Sequence, residues 1–191
     1  MKERALNPAR LLVESSAIFL SVLLAFFVEE WREDKDEERK AAEALNLVRA
    51  ELVQNLGELE RVIPTRGGLM DQYVEVLGVL RREGTFPEEL PQFVTPQITS
   101  IAYELATDSG AVTIVEPEDL LTVAQAYEAL RDVRRNDVFL DERNAQIRYA
   151  DGEQYLSGFV YYLNRALGNE PRAAGQVRVA IEALTLRVDQ D

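Results

Sequence analysis

The chain has 191 residues, a formal net charge of −13, no histidine and no cysteine. Without imidazole or thiolate it lacks the usual protein ligands of zinc and haem and the residues of Ser-His-Asp and Cys-His catalysis. Its excess of carboxylates disfavours contact with nucleic acid. We therefore expect a protein that is not an enzyme and that binds no cofactor, no metal and no nucleic acid.

An apolar stretch near the amino end is the strongest pattern in the sequence, residues 11–28, LLVESSAIFLSVLLAFFV. Eighteen helical residues extend about 27 Å, close to the roughly 30 Å of hydrocarbon in a bilayer. Trp31 follows within one turn, where an indole would meet the lipid headgroups. The sequence predicts a basic segment at residues 1–10 and a transmembrane helix at residues 11–28, with Trp31 as its membrane-interface anchor.

The same stretch could be read as a cleaved signal peptide, because basic residues precede a short apolar core. Phe26 and Phe27 stand where a signal peptidase needs small residues, which favours an uncleaved signal anchor. Lysine and arginine are similarly numerous on both flanks, so the positive-inside rule hardly distinguishes the two membrane orientations. A short basic amino end ahead of a long acidic domain favours an orientation with the N-terminus in the cytoplasm and the domain on the other side of the membrane.

The anchor is expected to continue as a helical stalk over residues 29–63. Asn7-Pro8 is a good helix start, and neither glycine nor proline interrupts the chain before Gly57. After a charge-rich piece, apolar residues recur at spacings of three and four, at Leu45, Val48, Leu52, Leu56, Leu59 and Ile63. Pro64 with Gly67-Gly68 predicts the end of this helix. The charged part of the stalk could be a docking strip for a basic partner or merely a solvated face.

Residues 64–191 are expected to form an acidic helical bundle. The patterns predict helices over residues 69–82, 96–107, 116 to about 147, 151–167 and 171–188, the last two separated by Gly168-Asn169. The run AVTIV, residues 111–115, is β-prone but has no partner strand, so it could be an extended link. The predicted fold is mainly α: a transmembrane helix that continues into a stalk and a helical bundle.

One face of the predicted anchor could contact another transmembrane helix. Ala17, Ser21 and Ala25 fall four apart, and small residues let a second helix approach closely. Glu14 lies on the same side, and an ionisable group inside a membrane usually has a partner. The alternative is that Glu14 reaches the headgroups and that the small residues have no special role.

Two further groups have a functional and a structural interpretation. Arg131, Arg134 and Arg135 could meet an anion, although pairing with neighbouring carboxylates is the simpler expectation. An aromatic group could line a ligand pocket, but its helical spacing favours core packing. Its members are Tyr155, Phe159, Tyr161 and Tyr162.

Several of these features together resemble a family of uncharacterised bacterial single-pass membrane proteins. The resemblance spans about residues 10 to 135 and rests on Glu14, Trp31, the segment Glu51-Leu52-x-x-Asn55, Tyr103 and Leu105 followed by Ser109-Gly110 and apolar TIV, and Tyr127. It implies an inner-membrane anchor with a helical extramembrane domain, and it assigns no activity. The present chain departs in its acidity and in its preference for arginine over lysine.

These observations favour a non-enzymatic accessory or scaffold subunit. The anchor would dock on other transmembrane helices or on a second copy of the chain, and the acidic domain would brace a respiratory, photosynthetic or transport complex. The alternative is a membrane-anchored extracytoplasmic bundle that senses a ligand. An enzyme would need a cleft with two facing carboxylates of perturbed pKa.

Overall fold

The prediction of a mainly α-helical chain is confirmed. A computed structural model describes residues 8–147 and 152–188, with side chains except those of residues 8–18, 114 and 186–188. It contains α1 (Pro8–Glu83), α2 (Ile101–Asp108), a 3₁₀ helix (Ala111–Ile114), α3 (Pro117–Gln146) and α4 (Gly152–Val188), and the described ranges hold no strand. α4 packs against both α1 and α3, while α2 and the 3₁₀ helix lie on α1.

α1 is one helix of 76 residues, about 114 Å long, so the predicted end at Pro64 and Gly67-Gly68 is wrong. These three residues are exposed, whereas Arg66 and Leu69 between and beyond them are buried. A proline inside a helix removes one hydrogen bond and disfavours helix by about 3 kcal/mol. Burial on both sides of Pro64 at spacings of three and four outweighs that penalty, because a break would expose the face that packs on the bundle.

The amino-terminal part of α1 extends beyond the bundle. Ala41 is its first residue in the hydrophobic core, and the apolar residues before it are exposed, from Phe19 at 64% to Val28 at 54% and Trp31 at 62%. The predicted stalk, residues 29–63, therefore has two parts: an exposed helix to residue 40 and a packed helix from residue 41. Among the residues whose side chains are described, no helix combines the length and the apolar character needed to cross a bilayer.

α4 is also continuous, which corrects the prediction of two helices separated at Gly168-Asn169. Gly168 and Pro171 face solvent, while Ala166, Glu170 and Ala173 keep one face buried across the predicted gap. As in α1, tertiary packing decides the outcome where local propensity predicts a break.

The segment between α1 and α3 differs from the prediction in two places. α2 begins at Ile101 rather than near residue 96. The run AVTIV is not an extended link, because its first four residues form the 3₁₀ helix and only Val115 is extended. Gly110 has φ 76°, a left-handed conformation that turns the chain, and its carbonyl accepts a hydrogen bond from Thr113 N at 3.0 Å. The predicted helix from residue 116 towards Ile147 is confirmed as α3.

The bundle has two apolar cores separated by a polar layer. Leu59 on α1, Val133 on α3 and Ala173 on α4 belong to the first core. The second core includes Leu69, Leu140 and Ala166 on the same three helices. Between them each helix buries one charged residue, and these define the polar layer: Arg66, Asp137 and Glu170.

Candidate functional site

The residues predicted to contact another transmembrane helix all lie on α1. Ser21 and Ala25 are exposed and line one shallow groove along the helix with Arg32 and Asp36. Glu14 and Ala17 belong to the helix, but their side chains lie outside the described residues. Trp31, the predicted interface anchor, is exposed.

Arg66 in the polar layer joins α1 to other parts of the bundle. Its Nη2 donates to Glu170 Oε1 at 2.7 Å and its Nε to the same oxygen at 2.9 Å, forming a charge-assisted pair across α1 and α4. Its Nη1 donates to the carbonyl of Val94 at 2.9 Å, and the guanidinium lies 4.9 Å from the Phe93 ring centroid. The Arg66 side chain therefore connects α1 to α4 and to the loop after α1.

Asp137 completes the polar layer without a hydrogen bond. Its Oδ1 lies 3.9 Å from Arg66 Nη2, and neither carboxyl oxygen has a hydrogen-bond partner among the described residues. Burial raises the pKa of Asp137 to about 7; Glu170 and Asp141 add to the rise, and Arg66 opposes it. Burial also raises the pKa of Asp141, again against Arg66. The layer thus holds one firm ion pair and one carboxyl that ionises near neutral pH.

A second polar network joins α1, α2 and α3. The hydroxyl of Tyr127 donates to Glu51 Oε1 at 2.7 Å, and Glu51 Oε2 accepts from the backbone N–H of Ala102 at 3.0 Å. Asn55 pairs with the backbone of Thr99, donating at 2.8 Å and accepting at 3.0 Å. Burial raises the pKa of Tyr127, and the neighbouring Glu51 carboxylate raises it further. Glu51 thus caps the amino end of α2 from another helix.

The second network contains residues on which the family resemblance rests. Glu51, Asn55, Tyr103 and Tyr127 come together here, and the rings of Tyr103 and Tyr127 stack with centroids 4.2 Å apart. Apart from the resemblance, the apolar pattern did not predict this site, because the predicted apolar series of α1 includes Leu56 and Ile63, which are only partly buried. The buried residues of α1 include Asn55 and Arg66 instead. Their helical spacing within the buried series is the sequence feature that could have predicted their burial.

Tyr103 and Tyr127 also line a cleft of about 330 Å³ between α2 and α3, the α2–α3 cleft. Glu104 and Asp108 lie on its α2 wall, and Arg131 and Arg134 on its α3 wall. Of the three clustered arginines, Arg134 forms no ion pair among the described residues, and it lines this cleft. The expectation of carboxylate pairing is confirmed for the other two, since Arg131 pairs with Glu128 and Arg135 with Asp132.

The aromatic group on α4 packs in and around the second core. Phe159 is fully buried and contacts Tyr73 and Phe93, with ring centroids 4.3 and 5.1 Å away. Tyr155 and Tyr162 are half-buried against the same core, while Tyr161 is 59% exposed. The core-packing interpretation is therefore confirmed for three of the four rings.

Neither polar network resembles a metal centre. Within the described ranges no group of three or more acidic side chains is arranged to hold a metal ion. Comparison of the chain with protein-family models, with curated proteins and with solved structures finds no match.

Proposed function

We propose that this protein is a non-enzymatic, single-pass accessory or scaffold subunit of a membrane complex. Residues 11–28 would cross the bacterial inner membrane, with the amino end in the cytoplasm and the acidic bundle in the periplasm. The anchor would dock on transmembrane helices of a respiratory, photosynthetic or transport complex or on a second copy of the chain. The bundle would brace the parts of that complex outside the membrane.

The single observation that carries the proposal is the exposure of the apolar part of α1. Phe19, Leu24, Phe26 and Phe27 are each more than 60% exposed, and Leu20 and Val28 more than half. They lie on every side of the helix except the one that bears Ser21 and Ala25, and burying side chains of this kind stabilises by roughly 1.5–3 kcal/mol each. Large contiguous apolar surfaces mark contacts with a membrane or a partner. A bilayer would cover all sides of this helix at once, and the sequence extends the apolar segment to residue 11.

The docking face points away from the bundle. Successive residues of a helix are rotated by about 100°, so Ser21 and Ala25 lie about 200° and 160° around α1 from the buried Ala41. A partner helix packed on Ser21 and Ala25 would therefore not collide with α3 or α4. Its path would continue over Arg32 and Asp36, which line the same groove.

α1 also sets the distance between bilayer and bundle. Val28 and Ala41 are thirteen positions apart, which is about 20 Å along a helix. Since α1 is not interrupted between these residues, the bundle would stand above the membrane on a stiff spacer. Ionic contacts between side chains one turn apart, such as Lys35 with Glu38 and Arg39 with Asp36, support this exposed helix.

Co-purification from native membranes in a mild detergent tests the docking proposal. We expect the chain to elute with partner subunits or as a dimer, and Ser21→Leu to reduce the yield of that complex. Leu23→Phe is the matched control, because it also enlarges a side chain of the anchor but lies on the opposite side of α1. Recovery of the wild-type chain as a lone monomer, or equal losses in the two variants, would contradict the proposal.

The α2–α3 cleft favours a second candidate function, a membrane-anchored extracytoplasmic bundle that senses a ligand. The cleft has the volume of a small-molecule site and joins apolar and charged groups in one place. This candidate requires the same anchor and differs in requiring a bound small molecule.

A further inference from the structure

We propose that the α2–α3 cleft binds a small zwitterion of the α-amino-acid type, with an ammonium, a carboxylate and an apolar side chain. The inference rests on the second candidate function, that the domain binds a small molecule, and does not depend on docking of the anchor.

The two walls carry opposite charges that do not meet. Helical spacing places Glu104 and Asp108 on one face of α2, and Leu130 and Arg134 on one face of α3. No ion pair within the described ranges joins the acidic wall to the basic wall. The side chains of Asp108 and Arg134 are exposed to solvent and have no hydrogen bond or ion pair there either, whereas Arg131 pairs with Glu128. A ligand that carries both charges would satisfy both walls.

The floor of the cleft is apolar and is held rigidly. Leu130 is 1% exposed, and Tyr127 is fixed by its stacking on Tyr103 and its hydrogen bond to Glu51. Aromatic rings supply contact area and attract an ammonium group to the ring face. Because Glu51 also holds the start of α2, the acidic wall is positioned by the same network.

The chemistry assigns each charge of the ligand a partner. The guanidinium of Arg134 would donate two hydrogen bonds to the carboxylate, the fork geometry that suits this group. The ammonium would donate to the carboxylate of Asp108. The apolar side chain would lie against Tyr103 and Leu130. A volume of about 330 Å³ accommodates a molecule of this size.

Isothermal titration calorimetry on the full chain in detergent tests the inference with three probes. L-phenylalanine carries both charges, N-acetyl-L-phenylalanine lacks the ammonium, and L-phenylalanine amide lacks the carboxylate. We expect saturable binding of L-phenylalanine, at least tenfold weaker binding of each of the other two, and a similar loss in the variants Arg134→Gln and Asp108→Asn.

Matched controls lie on α3, close in sequence to Arg134. Arg135→Gln and Asp132→Asn remove the same charges from an exposed pair outside the cleft, and both should bind as the wild type does. Far-ultraviolet circular dichroism would verify that all four variants are folded. The inference is overturned by absence of saturable L-phenylalanine binding, by equal binding of either capped probe, or by control variants that lose as much affinity as the cleft variants.

Discussion

Arg66 on α1 and Glu170 on α4, 104 positions apart, form a buried ion pair at the level where the two apolar cores of the bundle meet. Pro64 and Pro171, the prolines inside these two helices, are close neighbours of the pair in sequence. A buried ion pair is weak evidence for stability, but in some proteins such groups specify the register of packed helices. Here the pair joins α1 at residue 66 to α4 at residue 170.

Replacing Arg66 by Leu should destabilise the bundle by about 3–5 kcal/mol, because Glu170 would stay buried without its cation. The double change Arg66→Met with Glu170→Leu should regain much of this loss, since it removes both charges. Denaturant unfolding followed by circular dichroism measures the effect. Arg81→Leu, which breaks the exposed pair with Glu153, is the control and should cost less than about 1 kcal/mol. Equal effects of Arg66→Leu and Arg81→Leu would refute the role of the pair.

Asp137 should make stability depend on pH. Its pKa is raised from 3.8 to about 7 in the fold, so the folded state holds a proton that the unfolded state loses earlier. This contribution is fully present below about pH 4 and is lost as pH rises to about 7. Arg66, Glu170 and Asp141 are the charged groups that face it.

Asp137→Asn keeps the shape of the side chain and removes this titration. We expect the variant to melt a few degrees above the wild type at pH 8 and close to it at pH 4. Asp132→Asn on the same helix, an exposed residue, should leave the melting curve unchanged at both values. If instead the wild type became more stable than the variant as pH rises across this range, folding would lower the pKa of Asp137, contrary to this prediction.

Tyr127→Phe should destabilise the protein by about 1–3 kcal/mol, because Glu51 Oε1 loses its close donor in a buried site. Tyr161→Phe removes the same hydroxyl from a residue that is 59% exposed and should have little effect. Thermal unfolding of both variants makes the comparison. If the two changes have the same effect, the network around Glu51 does not stabilise the junction of α1, α2 and α3.

Two glycines should respond oppositely to alanine. A Cβ at Gly57 would meet no neighbouring heavy atom within 4 Å, so Gly57→Ala should stabilise α1 by about 0.5–1 kcal/mol. A Cβ at Gly152 would lie 2.5 Å from a Phe86 ring atom and 2.3 Å from the Ile147 carbonyl oxygen, so Gly152→Ala should destabilise. Denaturant unfolding distinguishes them, and destabilisation by Gly57→Ala would mean that the face of α1 bearing Gly57 is not free.

Sequence patterns predicted the helical class, the position of α3 and the packing of Phe159, because each depends on a periodicity that local residues already display. They failed at Pro64 and Gly168, where burial of Arg66 and Glu170 maintains helices that local propensity would end. Asp137 and Glu170 were missed for a related reason, and Asn55 entered only through the resemblance. From sequence alone, a polar residue is expected to face solvent. Its burial can be predicted only when its partner in the fold is known, and the partners of these residues are distant in the chain.

The central claim, that the apolar part of α1 lies in a bilayer, is tested most directly by cysteine labelling in native membranes. The chain has no cysteine, so Phe26→Cys and Glu38→Cys each introduce a single thiol on an exposed part of α1. With a membrane-impermeant maleimide added from the periplasmic side, we predict rapid labelling at position 38 and none at position 26 until detergent is added. Equal labelling at both positions in intact membranes would contradict the account.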